Sequence, residues 1–483
     1  MLMRSWDGIL VRRALLFGVL ACLAVLLGGC SSSASAQEQG AEAPAAQPNI
    51  VFVLTDDLDY ASAHEMPQLG SLLVEEGMSF ENAFASQSLC CPSRATILTG
   101  LYAHNSGVKG NKPPDGGFEK FRSEGLEEDT IAARLKDGGY QTAFFGKYLN
   151  GYDEDPTHVP PGWDEWYGKL REQKLYDYRI NENGELVSYG SEEQDFFTDV
   201  LSGQATDFVR RAAPEEEPFF MYVAPTAPHG PATPAERHEG AFEGEVASKP
   251  PSFNEEDVSD KPSWRQETER FSGEEVSEID AYHQQRLESM LAVDEMVGSL
   301  VEELEAAGEL NNTYIVFTSD NGWLAGEHRL KEGKDRAYEE SARVPLYVRG
   351  PGVPAGSTVE KLILNTDFAP TFAELAGVEI GGSDGRSLAP LMRGEKPLWR
   401  SAVLLEGFVG KKDRVFGAVR TETHKYVAYG NGEEELYDLT NDPYELESIH
   451  ETAAPALAED LKARLQALRD CSGDECRKAE DAP

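Results

Sequence analysis

The sequence predicts an α/β fold, in which a large, mainly parallel sheet is flanked by helices and followed by a small C-terminal α+β subdomain with an antiparallel sheet. Three observations predict it. Continuous apolar runs of strand length, typical of strands buried on both faces, recur along the chain. Helical patterns alternate with them, as in sheets that are covered by helices on both faces. Beyond about residue 395 this alternation gives way to short strands that follow one another directly.

The ends of the individual strands and helices are predicted from residues that commonly interrupt such elements. The first predicted strand ends abruptly at Asp56-Asp57, and Gly138-Gly139 ends the first predicted helix. The predicted strands of the large sheet span residues 49–55, 140–145, 219–223, 313–318 and 344–348, and the predicted helices span 129–136, 196–211 and 282–307. The subdomain is predicted to hold strands at 402–406, 416–421, 425–429 and 435–439 and a helix at 454–469.

The N-terminus has the pattern of an export signal rather than of a fold element. Arg4, Arg12 and Arg13 precede a short apolar run that ends in Leu27-Gly28-Gly29-Cys30. The last four residues resemble a bacterial lipobox, which implies cleavage before Cys30 and a lipid on its thiol. An uncleaved membrane anchor and plain secretion are the alternatives. We therefore expect an exported protein that is anchored to the outer face of a membrane as a lipoprotein, or is otherwise secreted.

The net charge limits the kinds of molecule that we expect the protein to bind, and the cysteines indicate the redox state of its compartment. The formal net charge of −41 disfavours nucleic acid and repels long polyanions, so we expect a small substrate or a chain-end group, unless salt screens the field. Cys471 and Cys476 flank a short segment with Ser472-Gly473, a spacing that can close a small disulfide loop in an oxidising compartment. A short metal clip is the alternative, and it would need two further ligands nearby.

Two acidic pairs directly follow predicted strands. They are Asp56-Asp57 and Asp320-Asn321. Because ligands in open α/β sheets bind beyond the carboxyl ends of the strands, we expect both pairs to meet at one edge. Three carboxylates and one amide oxygen form a hard oxygen cage suited to calcium or magnesium. Ordinary turns built on Asp and Asn are the alternative.

The stretch Cys90-Cys91-Pro92-Ser93-Arg94 leads into a predicted helix. Pro92 suits the first turn of a helix, where a missing N–H costs nothing. Residue 90 is therefore expected near a helix N-terminus, a place that attracts anions. The alternative is a buried pair of cysteines that act as small apolar residues.

These motifs together resemble the type I, formylglycine-dependent sulfatases. The resemblance covers about residues 48 to 476 and is carried by Cys90-Cys91-Pro92-Ser93-Arg94 and by 53–57, 146–147, 227–229, 319–322 and 436–439, in family order. It is closest to the branch that contains N-acetylglucosamine-6-sulfatase and the heparan endosulfatases, through 89–92, 146–150, 308–314 and 471–473. It implies an alkaline-phosphatase-like fold and calcium-dependent hydrolysis of sulfate monoesters, on a sulfated sugar such as 6-sulfated N-acetylglucosamine.

The resemblance also implies roles for individual residues. A formylglycine-generating enzyme would oxidise Cys90 to formylglycine, whose hydrate attacks the sulfate ester. Calcium, in preference to magnesium, would be held by Asp56, Asp57, Asp320, Asn321 and the modified residue 90. The implied catalytic residues are Arg94, which holds the attacking hydroxyl; Lys147, which binds sulfate; and His229 and Lys334, which face the leaving oxygen. Lys331 rivals Lys334, and His104 and His328 are expected to line the site.

One departure from the family pattern concerns the residues after Lys147. Many sulfatases have Lys-Trp-His where this chain has Lys147-Tyr148-Leu149. In those enzymes the histidine takes a proton as sulfate is expelled, so its absence leaves that base unassigned. The closer branch shares Lys-Tyr-Leu-Asn, so the departure does not imply inactivity.

The predicted organisation is a signal peptide (1–29), a flexible tether (30–47), the catalytic domain (48–394) with an acidic surface insertion (236–281), a C-terminal subdomain (395–476) and a tail (477–483). The expected partners are a sulfated small molecule or glycan end group, the maturation enzyme and, through the lipid, a membrane. The sequence does not indicate an oligomeric state. Two rival functions stay open: a phosphodiesterase or phosphonate monoester hydrolase of the same superfold, and an inactive, lipid-anchored glycan-binding protein.

Overall fold

A computed structural model describes residues 47–170, 174–412 and 415–482. The predicted signal peptide, the predicted lipidation at Cys30 and nearly all of the predicted tether lie outside the described residues. Within the described ranges, no helix has the length and apolar character needed to cross a membrane.

The main sheet has eleven strands. They are β1 (Asn49–Thr55), β2 (Met78–Phe84), β3 (Gln141–Gly146), β4 (Glu165–Leu170), β5 (Arg179–Glu182), β6 (Glu185–Ser188), β7 (Phe219–Ala224), β8 (Thr313–Ser319), β9 (Arg343–Val344), β10 (Leu346–Arg349) and β11 (Ser357–Leu364). Their order is β11-β2-β10-β8-β1-β7-β3-β4-β5-β6, and β9 pairs with β2. The centre, β8-β1-β7-β3-β4, is parallel, and β5, β6, β9 and β10 pair antiparallel at the sides. The α/β class is confirmed, with a sheet that is mixed outside its parallel centre.

Helices cover both faces of this sheet. The α-helices are α1 (Cys90–Thr99), α2 (Ala103–Ser106), α3 (Gly117–Ser123), α4 (Ile131–Asp137), α5 (Phe197–Ala212), α6 (Ser263–Gln266), α7 (Gly273–Ala307), α8 (Glu339–Ala342), α9 (Phe368–Ala376), α10 (Ala389–Met392), α11 (Pro455–Arg469) and α12 (Asp474–Glu480). Short 3-10 turns lie at Ser62–Glu65, Leu126–Asp129, Tyr152–Glu154, Glu193–Asp195, Glu236–His238, Leu310–Asn312 and Asn365–Asp367, with one π-helical turn at Leu69–Val74.

The first strand shows why the apolar runs are continuous. Ile50, Phe52 and Leu54 enter the core under α1, α4 and α9, whereas Val51 and Val53 enter the opposite core under α5 and α7. Successive side chains of a strand point to opposite faces. A strand that lies between two helical layers therefore has no polar face.

Two predicted boundaries differ from the structure. Helix α7 begins at Gly273, nine residues before the predicted start, because the Ser272 hydroxyl accepts the N–H of Glu275 while the Glu275 carboxylate accepts the N–H of Ser272. The predicted insertion at 236–281 therefore ends inside a helix, and Val258 and Lys261 within it are buried. The predicted strand at 344–348 is interrupted at Pro345, which lacks the N–H that a continuous ladder needs.

The C-terminal part forms a second, antiparallel sheet, as predicted. Its strands are β12 (Ala402–Gly407), β13 (Phe416–Thr421), β14 (His424–Tyr429) and β15 (Glu434–Asp438), in sequential order. Leu461, Leu465 and Leu468 of α11 share a core with this sheet. The structure places Cys471 and Cys476 in a disulfide bond, the pairing that their spacing predicts.

Candidate active site

The two predicted acidic pairs meet at the carboxyl edge of the parallel strands. Asp56-Asp57 follows β1 and Asp320-Asn321 follows β8, and the ends of these strands pair with each other, Thr55 beside Ser319. The N–H of Asp320 donates to the carbonyl of Thr55, and the N–H of Asp57 donates to Oδ1 of Asp320 (3.2 Å). All four side chains are buried. Asp56, Asp57, Asp320 and Asn321 are referred to below as the acidic cluster.

Asp57 has an unusual backbone. Its φ of 66° lies in the left-handed region, which is costly for residues other than Gly, Asn and Asp. Buried Arg286 on α7 holds it there, because one Nη donates to the carbonyl of Asp57 and the other to the carbonyl of Pro228. The strained turn aims the Asp57 carboxylate back toward Asp320 and Asn321.

Cys90 lies at the first position of α1, as the motif predicts. All ten residues of this helix are buried, and it ends at Gly100 in the left-handed conformation that commonly closes a helix. The thiol of Cys90 lies 3.6 Å from Oδ1 of Asp56. Cys91 points elsewhere and belongs to the apolar core. The structure therefore brings residue 90, not residue 91, to the acidic cluster.

Three cationic side chains converge on the same place. Lys147 donates to Oδ2 of Asp56 (2.7 Å), and Arg94 donates from Nε to Oδ2 of Asp320 (2.8 Å). Arg94 also donates to the carbonyl of Lys147 (2.7 Å), which ties α1 to the end of β3. The ammonium of Lys334 contacts both Oδ1 of Asp57 and the sulfur of Cys90.

Gly146 makes the position of Lys147 feasible. Its φ of 112° is accessible to glycine, and a Cβ there would lie 2.0 Å from the carbonyl oxygen of Ala224. The chain thus turns tightly against β7 directly before Lys147. Leu149 lies in the apolar core, so position 149 offers no side chain that could take up a proton.

The opposing charges set the protonation states. Burial alone would raise the pKa of Asp56, but Lys147, His229 and Arg94 hold it well below its usual range. Burial and the nearby charge of Asp56 raise the pKa of Asp320 to about 6, against the effect of Arg94. Burial also raises the pKa of the Cys90 thiol, in spite of Lys147 and Lys334. An unmodified Cys90 is therefore a protonated thiol and a weak nucleophile.

The acidic cluster has the donor set and the geometry for a hard cation. One carboxylate oxygen from each of Asp56, Asp57 and Asp320 lies within 4.8 Å of the others. Among the described residues, Oδ1 of Asn321 is buried without a hydrogen-bond partner, while its Nδ2 donates to Asp57. A buried polar atom without a partner is costly, and a cation among these oxygens would satisfy it. The residues therefore fit an oxygen-bound divalent ion.

The other predicted site residues, His229, Lys331 and His104, lie in three different places. His229 lies near the cluster, with Nε2 3.7 Å from Asp57, and is partly exposed. Lys331 instead pairs with Glu278 at the surface. His104 lies against Glu406 and the carbonyl of Cys471, because Nδ1 and Nε2 each find a partner there.

His328 was expected to line the site, and this expectation is wrong. It is fully buried, bonds to Glu255 through Nδ1 (3.0 Å) and stacks on Tyr338. Burial alone would lower the pKa of His328, but its contacts with Glu255 and Glu340 raise it to about 9. It is a charged member of an interior ion-pair network.

Sequence reasoning missed the residues that line a pocket beside His229. Tyr282, Arg286 and Trp323 line it together with Glu278 and Lys331. The guanidinium of Arg286 lies 5.0 Å from the ring of Trp323, and the rings of Tyr282 and Trp323 are 6.4 Å apart. Trp323 directly follows the Asp320-Asn321-Gly322 turn, which is the one sequence signal that could have found it.

Comparisons with known proteins agree on one family. The model of the Sulfatase family matches residues 48–378, and a model described as N-sulphoglucosamine sulphohydrolase, C-terminal, matches residues 326–471. The N-acetylglucosamine-6-sulfatase of Homo sapiens is 35% identical to this chain over 502 residues, covering 95% of this chain and 90% of the relative.

Solved structures share the fold. A protein determined in complex with its substrate, D-glucosamine-2-N,6-O-disulfate, superimposes with a TM-score of 0.76 at 27% identity, covering 90% of this chain and 99% of that chain. The phosphonate monoester hydrolase of Agrobacterium radiobacter superimposes with a TM-score of 0.70 at 22% identity, covering 87% of this chain and 95% of that chain. The family match includes every residue of the acidic cluster.

Proposed function

Since the chain belongs to the sulfatase family and is a sulfuric ester hydrolase, we propose that it removes sulfate from a sulfated sugar, such as a 6-sulfated N-acetylglucosamine, with residue 90 as the nucleophile. The observation that carries this proposal is the convergence of Cys90, the acidic cluster and three buried cations. The similarity to N-acetylglucosamine-6-sulfatase and to a structure that holds a sulfated glucosamine supports the sugar.

The thiol of Cys90 is a weak nucleophile, so residue 90 needs to be modified before it can act. Formylglycine at position 90, as its hydrate, would supply one hydroxyl that attacks sulfur and a second hydroxyl that allows sulfate to be expelled afterwards. Arg94, one helical turn after residue 90, would hold the attacking oxygen. The N-terminus of α1 adds a favourable field for the sulfate anion.

The charges of the site suit a reaction that builds negative charge. Asp56, Asp57 and Asp320 carry three negative charges, and Arg94, Lys147 and Lys334 carry three positive ones. A Ca²⁺ ion bound by the acidic cluster and residue 90 would supply the excess positive charge that a sulfate group needs there. Lys147 would hold the sulfate oxygens together with Nη2 of Arg94, which has no hydrogen-bond partner among the described residues and lies 4.0 Å from Oδ2 of Asp56.

Departure of the sugar requires a proton. As the oxygen of residue 90 bonds to sulfur, the bond between sulfur and the sugar oxygen breaks, and the sugar oxygen takes the proton. The second hydroxyl of the hydrate would then collapse to the aldehyde, which breaks the new bond and releases sulfate, and water would restore the hydrate. Lys334 and His229 are the groups on the open side of the cluster. We assign the proton to Lys334, which contacts residue 90, and the binding of sulfate to His229. The pocket with Tyr282 and Trp323 offers aromatic faces for the sugar ring.

The N-terminal pattern supports export as part of the same proposal. A lipid on Cys30 would hold the enzyme at the outer face of a membrane, where sulfated glycans are met. Metabolic labelling with a fatty-acid analogue, followed by mass determination of the N-terminal peptide, tests it. Loss of the label in a Cys30→Ala variant supports the anchor, and an unlabelled wild-type protein overturns it.

The peptide mass across residue 90, in protein from its native host, tests the nucleophile. An aldehyde or hydrate mass is expected, together with sulfate release from 6-sulfated N-acetylglucosamine. A Cys90→Ser variant should lose that release, whereas Cys91→Ser, a matched change one residue away, should keep it. An intact thiol with sugar binding but no release would instead indicate the inactive glycan-binding protein.

Two further measurements separate the remaining alternatives. Removal of bound metal by a chelator should lower the melting temperature, and adding Ca²⁺ should restore it more fully than Mg²⁺; an Asn321→Leu variant should lose this response. Because the fold is shared with a phosphonate monoester hydrolase, the rates with sulfate monoesters and phosphate diesters must be compared. A higher kcat/KM with a phosphate diester would overturn the assignment of the substrate.

A further inference from the structure

A groove beside the nucleophile is lined by lysines. Lys109, Lys112, Asp115, Phe408 and Val409 line a cavity of about 320 Å³, referred to below as the lysine groove. The ammonium of Lys109 lies 5.0 Å from the centre of the Phe408 ring. The groove thus combines an aromatic face with positive charge.

The loop that carries these lysines is bonded to the start of α1. The side chain of Asn111, between the two lysines, accepts the N–H of Cys91 (2.9 Å). The amide of Gln87, three residues before Cys90, donates to the carbonyl of Lys109 (3.0 Å). Residues on both sides of Cys90, namely Gln87 and Cys91, therefore bind the loop. The groove thus adjoins the candidate active site.

The loop is also closed at its base. The N–H of Lys109 donates to the carbonyl of Asp115 (2.6 Å), and the N–H of Gly117 donates to the carbonyl of Gly110 (2.9 Å). A Cβ on Gly116 would lie 1.9 Å from the carbonyl oxygen of Gly110, so glycine is required at this close approach. Lys109 and Lys112 therefore start from a fixed backbone, which lowers the entropy cost of binding a ligand.

The charge of the whole chain makes this groove unusual. The sequence has 85 acidic and 44 basic residues, so a lysine ordinarily finds a carboxylate nearby. In the described part of the chain, Lys109 and Lys112 have no carboxylate oxygen within 4.0 Å, and neither do Lys411 and Lys412, which follow Phe408 closely in sequence. Asp115 is the acidic residue of the lining, and its charge acts on Lys120 outside the groove.

We propose that the lysine groove is a subsite for a second anionic group, a sulfate or a carboxylate, carried by the sulfated sugar or by its neighbouring ring. This inference rests on the proposed function, because it assigns a second contact to the same substrate. Phe408 offers a face for the ring, and Lys109 and Lys112 hold the anion. The strongly negative remainder of the surface repels a longer anionic chain, so the groove selects a short substrate with two anionic groups.

The test compares substrates that differ in one anionic group. Kinetics are measured with N-acetylglucosamine 6-sulfate and with D-glucosamine-2-N,6-O-disulfate, and then with a disaccharide in which a uronate adjoins the 6-sulfated sugar. The variant is Lys109→Gln with Lys112→Gln. Its matched control is Lys174→Gln with Lys396→Gln. Among the described residues, these two lysines also lack a carboxylate oxygen within 4.0 Å, but they do not line the groove.

The groove variant should lose about tenfold in kcat/KM on the substrates with two anionic groups and less than twofold on the substrate with one, as expected for two exposed ion pairs. The loss should shrink at high salt, and the control should leave all three rates unchanged. A loss confined to the disulfated sugar identifies a sulfate subsite, and a loss confined to the uronate identifies a carboxylate subsite. Equal losses on all three substrates, or none, overturn the inference.

A failure of the proposed function gives a different result. In that case the wild-type protein releases no sulfate from any of the three substrates. The groove is then tested by calorimetric binding of D-glucosamine-2-N,6-O-disulfate to the Cys90→Ala protein, with and without the two lysine changes. Binding about tenfold weaker without the lysines supports the subsite, and unchanged binding overturns it.

Discussion

Replacing Lys334 with Gln should slow the release of sulfate from a sugar by about a thousandfold. Lys334 is the cation that contacts both residue 90 and Asp57, and it is mostly buried, with 13% of its side chain exposed. Its removal leaves the leaving oxygen without the ammonium that neutralises its developing charge. Gln keeps a polar end on a side chain that is one bond shorter, so the change mainly removes the charge.

The magnitude follows from Coulomb's law. At about 4 Å and an effective dielectric constant of about 20, two unit charges interact by about 4 kcal/mol. A factor of ten in rate corresponds to about 1.4 kcal/mol in the barrier, so the loss is about three orders of magnitude. Burial lowers the pKa of Lys334, but the carboxylates of Asp57, Asp56 and Asp320 raise it by more, so the ammonium stays charged at neutral pH.

The assay compares two leaving groups. With 4-nitrophenyl sulfate the leaving oxygen is stable without a proton, whereas the sugar hydroxyl is not. The loss in kcat for Lys334→Gln should therefore be much larger on the sugar sulfate than on the aryl sulfate. Lys361→Gln is the matched control, since Lys361 pairs with the exposed Glu422 at the surface, and it should change either rate by less than twofold.

Two results would refute this reasoning. A loss below tenfold on the sugar sulfate would show that Lys334 does not act on the leaving oxygen. A loss from Lys331→Gln equal to that from Lys334→Gln would show that the rival lysine takes the role in solution. Melting temperatures of both variants, measured in the same buffer, separate a catalytic loss from an unfolded protein.

Three further perturbations have definite expected results. Glu480→Gln removes a buried carboxylate that lies 3.0 Å from Nε of Arg400, so the free energy of unfolding in denaturant should fall by about 3 kcal/mol. The control Glu475→Gln loses an exposed ion pair and should lower the free energy of unfolding by less than about 1 kcal/mol. Equal losses for the two variants would contradict the first expectation. Burial and the charge of Glu340 raise the pKa of Glu327 from 4.5 to about 8. Folding then favours the protonated form, and Glu327 lowers stability as the pH rises between these values. The advantage of Glu327→Gln over the wild type should therefore grow between pH 5 and pH 8, by about 4 kcal/mol at most, and an advantage that does not change with pH would contradict this. Trp323→Leu should raise KM for the sugar sulfate about fivefold with kcat within twofold, and a fall in kcat alone would count against a binding role.

The fold was predictable where pattern and burial coincide. β1, β7 and β8 read as apolar runs because helices cover both of their faces. The start of α7 was missed because its first turns are acidic and exposed, and the capping pair Ser272 and Glu275 was the sequence signal that could have placed it. The strand at 344–348 divides because Pro345 falls within it. Both parts pair with β2, and only β10 also pairs with β8.

The position of a site residue could be predicted where that residue directly follows a strand or begins a helix. Asp56 and Asp320 follow paired strands, and Cys90 begins α1, so sequence position fixes their place. The choice between Lys331 and Lys334 depends on which side chain a loop turns inward, and no local pattern encodes that. His328 lies near Lys334 in sequence, but its backbone φ of 50° and its bond to Glu255 turn it into the interior.

The central place of β1 has a consequence for when the enzyme can mature. Its two neighbours, β7 and β8, pair with it across 170 and 264 residues of chain, so β1 lacks one of its two partners until β8 (Thr313–Ser319) has been synthesised. At about 5–20 residues per second, the interval between the appearance of Cys90 and that of β8 is on the order of 10 to 50 seconds. The folded protein leaves only 1% of Cys90 exposed, which excludes a modifying enzyme afterwards. The proposed oxidation of Cys90 therefore needs a chain that has not yet folded, during that interval or afterwards. A chain that folds before it is modified stays inactive for as long as it remains folded.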